Sequence, residues 1–144
     1  MAEAANEAAR SETETVLQRA EETEPDDLIS ADGYLFVAPE NLAALSGAMK
    51  EFIARCYYPV LGKLEGRPYA QMICAGSDGE NAVRQLARIA TGWRLKAGQE
   101  PRIICTHAQT EAEILAEKTI PEADLTTCRG VGAVLAAGLS MGVF

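Results

Sequence analysis

The stretch Ala31–Lys50, ADGYLFVAPENLAALSGAMK, decides the fold of this chain. Its first part, Tyr34 to Ala38, is an uninterrupted apolar run with turn chemistry at both ends, the pattern of a parallel strand buried on both faces. Pro39 has no N–H to donate and is expected to end the ladder. Asn41 or Glu40 can then cap a helix whose apolar positions Leu42, Leu45, Met49, Phe52 and Ile53 recur at helical spacing. Exposed backbone lies between strand and helix, and open parallel sheets bind their ligands in the crevice outside the carboxyl ends of the strands.

Outward from that stretch, helices and strands alternate. Met1, Ala4, Ala5, Ala8 and Ala9 share one face of a first helix. Glu14–Ala20 alternates in the manner of a short edge strand, and Pro25 to Ile29 can form a brief helix leading into Tyr34. On the other side, Tyr57, Tyr58, Pro59, Gly62 and Gly66 end the central helix in a loop. Tyr69–Ala75 is the next strand, and Gly76 and Gly79 allow close backbone approach, with polar atoms from Ser77 and Asp78. A helix follows from about Glu80 to Trp93, burying Val83, Leu86, Ala87 and Ala90. Arg102–Thr106 is the last strand, and a closing helix spans roughly Glu122 to Met141. This order predicts an α/β doubly wound parallel sheet with helices on both faces, in a single domain over residues 1–144. Three loops, Pro39–Asn41, Gly76–Gly79 and Thr106–Gln109, would face one crevice.

Composition narrows the function classes. The chain is 48% apolar with a net charge of −8, a balance that suits a soluble globular domain and repels nucleic acid and anionic lipid. No apolar run is long enough to span a bilayer, and the first residues lack the basic and apolar parts of a secretory signal, so a cytoplasmic location is expected. Much of the acid lies between Glu12 and Asp27, as one solvent-facing region. Cys56, Cys74, Cys105 and Cys128 form no C-x-x-C pair and no ligand spacing with the single histidine, His107, so no metal site is expected. Cys74 and Cys105 fall in strands, Cys56 and Cys128 in helices, and all four read as structural thiols.

Two motifs carry a family resemblance. The first is the strand running into Ala38, Pro39, Glu40 and Asn41, followed by Ser46, Gly47, Ala48, Met49 and Lys50. The second is PYAQMICAGSDG, Pro68 to Gly79. Together they resemble the third and fourth strands, with their flavin-facing loops, of the flavodoxin-like FMN reductases and quinone reductases. The resemblance implies an FMN-binding oxidoreductase in which NAD(P)H passes a hydride to the flavin and the flavin reduces a quinone or similar small acceptor. It also implies that backbone N–H and C=O groups hold the ring, with contacts from Pro39, Glu40, Asn41, Ala75, Gly76, Ser77, Gly79 and His107. No residue is assigned as catalytic acid or base.

The chain also departs from that family. A flavodoxin-like domain normally opens with an apolar strand and a Ser/Thr-rich phosphate loop at a helix start, and Met1–Arg10 instead resembles the middle of the first helix. The first strand is missing, leaving Glu14–Ala20 without a neighbour. Each buried ladder group left unpaired costs about 1–3 kcal/mol. The chain as given is therefore expected to be unstable, and Met1 to be an internal methionine of a longer protein. A flavin-free binding or scaffold module on the same fold, or an inactive truncated product, is the alternative.

Individual residues carry more than one reading. His107 either faces a nicotinamide or substrate oxygen or is a surface loop residue, and Trp93 reads as core or rim before it reads as a stacking platform. Ser46 and Lys50 read as cap and surface. Ser77 is equally a ring contact or a helix cap. The stretch Phe52 to Pro59 is the candidate surface for a homo-oligomer, with Tyr57 and Tyr58 read as a packed loop.

Overall fold

The computed structural model describes the whole chain, Met1–Phe144. The apolar run becomes β1 (Tyr34–Asn41), whose side chains alternate between two cores. Tyr34, Phe36 and Ala38 are buried on one face, and Leu35 and Val37 lie half-buried on the other. β3 (Pro68–Ala75) lies parallel to it, in a register from Tyr34 opposite Tyr69 to Pro39 opposite Cys74. Beyond β3, the short β4 (Lys96–Ala97) pairs with its first residues and β5 (Arg102–Cys105) with its last, both parallel. Burial on both faces explains why β3 is apolar almost throughout. The doubly wound α/β reading therefore holds.

Helices cover both faces. On one side α2 (Pro25–Ser30), α3 (Gly47–Cys56) and α4 (Glu80–Gly92) enclose the larger core, which includes Phe36, Phe52, Leu86 and the fully buried Trp93. Tyr57 stacks on the Trp93 ring at 5.8 Å, so this part of the loop is packed, while Tyr58 stands exposed. On the opposite side α1 (Ala2–Ala9) lies against α6 (Glu122–Ser140), over Ala70, Met72 and Ile104. The two helices approach closely because Gly132 has no side chain: a Cβ there would lie 2.1 Å from the Ala5 carbonyl oxygen. A short α5 (Glu111–Leu115), capped by Thr110, follows β5 and buries none of its residues.

Several expectations are corrected. Pro39 does not end the ladder. A proline forfeits only a donor, and its carbonyl accepts from the Ser46 amide at 3.2 Å while the strand continues to Asn41. There the chain reverses through Leu42 and Ala43 (φ +51° and +58°) into β2 (Ala44–Leu45), which pairs antiparallel with Glu40 and Asn41. Helix α3 consequently starts at Gly47, with Ser46 rather than Asn41 or Glu40 as its cap, and Leu42 lies outside it. Glu14–Ala20 forms no strand. Thr15 bonds Asn6 of α1, and Arg55 of α3 donates to the carbonyls of Ala20 and Thr23, so the segment is tied to opposite helix layers and crosses the sheet edge. The stretch Phe52–Pro59 is not an open apolar surface, since Phe52, Ile53 and Cys56 are buried.

Candidate functional site

The carboxyl edge of the sheet is built by the three segments that follow β1, β3 and β5. The first is the hairpin carrying Glu40 to Ala44. Its sequence has no Gly, Asn or Asp at the two central positions, where left-handed backbone is otherwise cheap, and α4 holds it in place instead. The Asn81 side-chain amide donates to the Ala43 carbonyl at 2.6 Å, and Gln85 accepts from the Leu45 amide at 2.8 Å. These two residues were not singled out from the sequence. Their spacing of four on the first turns of a helix was the available signal, because it places both on one face.

The second segment, Gly76–Gly79, is joined to the first by one bond: the Gly79 amide donates to Glu40 Oε2 at 3.1 Å. Gly79 adopts φ +83° and is the N-cap of α4, a role the sequence had offered to Ser77. A Cβ at Gly79 would lie 2.7 Å from Ile103 Cγ2, so both the backbone conformation and the space require glycine. Asp78 Oδ1 accepts the Glu80 amide at 3.2 Å. Gly76, Ser77 and Asp78 are exposed, and nothing lies within 4 Å of the place where a Gly76 side chain would stand.

The third segment closes against the second. Thr106 and His107 donate their amides to the carbonyls of Ala75 and Gly76, at 2.9 and 2.8 Å. His107 has a positive φ of +54° and an exposed side chain. Of the residues picked out in the sequence, Glu40 is thus hydrogen-bonded to Gly79 and Gly76 to His107, while Ala75 pairs with Cys105 and accepts from Thr106. Pro39, Asn41 and Ser77 lie on the same edge with exposed surface.

Two features define what this edge can do. Glu40 Oε1 is buried without a hydrogen-bond partner, beside an edge whose other polar groups are backbone amides and carbonyls. The thiols nearby are passive: burial pushes Cys74 up from its ordinary value, and burial together with the carboxylates of Asp78 and Glu40 does the same for Cys105. Thiols held in the protonated form are weak nucleophiles at neutral pH. The edge therefore offers a ligand backbone groups and one buried carboxylate oxygen rather than an activated thiol.

The chain was compared with known proteins. The profile of the NADPH-dependent FMN reductase family matches residues 25–109, which contain β1, β3, β5 and all three segments of this edge. No curated protein matches the chain. Among solved structures, a flavodoxin from the domain Archaea is 14% identical, with a TM-score of 0.71 over 96% of this chain and 87% of its own. The flavodoxin WrbA-like protein from Agrobacterium tumefaciens is 17% identical, with a TM-score of 0.69 over 97% and 87%. An NADPH-quinone reductase from P. pentosaceus is 12% identical, with a TM-score of 0.54 over 94% and 86%. These likenesses show a flavodoxin fold. No helix is long and apolar enough to cross a membrane. With the profile spanning more than half of the chain, the chain belongs to the NADPH-dependent FMN reductase family, a family of flavin-dependent oxidoreductases.

Proposed function

We propose that this protein binds FMN at the carboxyl edge of its sheet and carries electrons from NAD(P)H to a quinone or similar small acceptor. The observation that supports this best is the Glu40–Gly79 hydrogen bond, which locks two strand-end segments into one ligand-facing edge inside the region matched by the family profile. The residues present fit the ring of such a cofactor. Glu40 Oε1 is a buried acceptor still without a donor, and Gly76 leaves open space where any other residue would project a side chain. Pro39, Glu40 and Asn41 would hold one side of the ring, Ala75, Gly76, Ser77 and Gly79 another, and His107 would border it.

The flavin, when bound, supplies the two-electron carrier. The protein's part is to hold and orient it. Glu40 would place a carboxylate beside the ring, and the backbone of the exposed residues Gly76 and Ser77 would supply donors without the conformational freedom of side chains. Leu42, fully exposed at the hairpin tip, would form an apolar rim beside the ring. The setting we propose is the cytoplasm.

Titration of FMN with this chain, read by quenching of flavin fluorescence, tests the reading. Saturable quenching that Gly79→Ala abolishes, followed by NADPH-dependent bleaching of the bound flavin, is the expected result. Absence of quenching by a cooperatively folded sample would instead identify a flavin-free binding module.

A further inference from the structure

Beyond the third segment of the ligand-facing edge, the chain makes an excursion that buries nothing. Every residue from Gln109 to Thr119 is exposed, and between Ala108 and Ile120 every hydrogen bond stays inside the segment. The excursion is nonetheless built. Glu113 Oε2 accepts the amides of Gln109 and Thr110, each at 2.9 Å, while Thr110 Oγ1 accepts the Glu113 amide at 3.2 Å. At the other end Lys118 Nζ donates to the carbonyls of Glu113, Ile114 and Ala116, at 2.6, 2.8 and 2.6 Å. A five-residue helix is too short to persist by propagation alone, and α5 is held by these bonds at both of its ends. What they present to water is the adjacent pair Ile114 and Leu115, 58% and 77% exposed.

We propose that α5 is a lid over the ligand-facing edge, and that Ile114 and Leu115 cover an uncharged, apolar electron acceptor of the quinone class. The proposal rests on the reading of that edge as a flavin site. Placement supports it first. The excursion is fastened to the edge by the His107 amide on the Gly76 carbonyl, and to the smaller core by Ile120, so the stretch between these points is the part free to move. Helix α5 starts at Glu111, four positions after His107. That distance is at most about 14 Å of extended chain, which keeps the helix beside the edge. Few buried contacts and wholly internal bonding also make a segment that opens at small cost, as a lid must.

Chemistry supports it next. Leu42, on the first segment of the same edge, is fully exposed, so that segment and the sequel of the third both leave large apolar side chains in water. The carboxylates of Glu40, Asp78, Glu111 and Glu117 lie along the same segments and disfavour an anionic acceptor, while Lys118 spends its charge on the carbonyls of α5. Connections between a strand and the next helix of the layer usually run about 2–6 residues. This one extends from Thr106 to Pro121, and the family profile ends at residue 109, ahead of the helix.

Hydrogen exchange and kinetics on the FMN-loaded protein test the proposal, with menadione as the uncharged acceptor and ferricyanide as the anionic one. In the absence of NADPH, saturating menadione should slow exchange at the amides of Ile114 and Ala116 about tenfold and leave those of α6 unchanged. The double variant Ile114→Ser, Leu115→Ser changes only exposed positions and should melt as the parent does. It should lose the protection, and its ratio of kcat/KM for menadione to that for ferricyanide should fall about tenfold. In a sample that quenches FMN saturably, no protection by menadione, an unchanged ratio, or an equal loss with both acceptors would overturn the lid and leave the flavin reading standing. Protection that appears with protein concentration alone would make this face a contact between copies and overturn the lid as well. Absence of FMN quenching would overturn the flavin reading, and the lid with it.

Discussion

Glu40 accepts the amide of Gly79 at 3.1 Å, across a separation of 39 positions in the chain, and this bond joins the ends of β1 and β3. Removing it by Glu40→Ala should cost about 1.5–3 kcal/mol of stability, as expected for a hydrogen bond to a charged group. It should also weaken FMN binding about tenfold. Glu40→Gln retains an acceptor and should recover most of the stability, while giving up the charge beside the ring. Urea melts and flavin titrations of the two variants separate the effects.

Gly79→Ala meets two obstacles at once, the positive φ and the Ile103 methyl 2.7 Å from the new Cβ. A loss of about 1–3 kcal/mol is expected from overpacking and backbone strain. Pairing it with Ile103→Val should not rescue it, because valine keeps the offending methyl, whereas Ile103→Ala should recover part of the loss. Thermal melts of the double variants check this.

The hairpin tip stores strain. Leu42 and Ala43 both hold left-handed backbone that ordinary residues resist, and Leu42 is fully exposed. The double substitution Leu42→Asn, Ala43→Gly supplies the residues that this turn prefers and should raise stability by about 1 kcal/mol. If Leu42 forms the rim of the flavin pocket, the same variant should bind FMN less tightly. A higher melting temperature with an unchanged dissociation constant would remove Leu42 from the site.

Gly132→Ala should be among the most damaging single-methyl changes in the chain. The added carbon would overlap the Ala5 carbonyl, so α1 must move away from α6. Loss of about 2 kcal/mol or more is expected, with increased exchange at the amides of α1. The larger core under α3 and α4 should stay intact, which hydrogen exchange resolves segment by segment.

Alkaline pH should loosen the amino-terminal side of β1. The Tyr34 hydroxyl donates to the Leu28 carbonyl at 2.7 Å and receives a bond from Arg67 at 3.0 Å. Burial raises its pKa above the ordinary 10.0, against the smaller opposing effect of Arg67. The folded state therefore holds this proton more tightly than the unfolded state. The stabilisation is complete below pH 10, falls as pH rises past 10, and is gone above the folded-state pKa. Tyr34→Phe should flatten that part of the stability profile measured by denaturant melts.

The sequence disclosed the elements that burial dictates. Tyr34–Ala38 and Tyr69–Ala75 are apolar because helices cover both faces, so composition alone marks them as central strands. The hairpin at Leu42–Ala43 was hidden for the opposite reason: a leucine and an alanine carry no turn signal, and Asn81 and Gln85, 38 and 40 positions from their partners, supply what the turn lacks. Glu14–Ala20 alternates like a strand, but pairing requires an adjacent edge, and its ends are fastened to Asn6 and Arg55 in different layers. At the candidate site, glycines and a proline were legible as places of close approach. The bonds that unite them are mostly backbone, and backbone bonds leave no trace in residue identity.

The pairing of α1 with α6 has a consequence for the order in which the protein matures. The larger core draws its buried residues from Leu28 to Leu95 and can assemble once the middle of the chain has left the ribosome. Helix α1 is made ahead of that core, yet its partner α6 occupies Glu122–Ser140 and is made after it. While the larger core assembles, the small alanine face of α1 has nowhere to dock, so a helix translated ahead of that core acquires its native neighbour only after it.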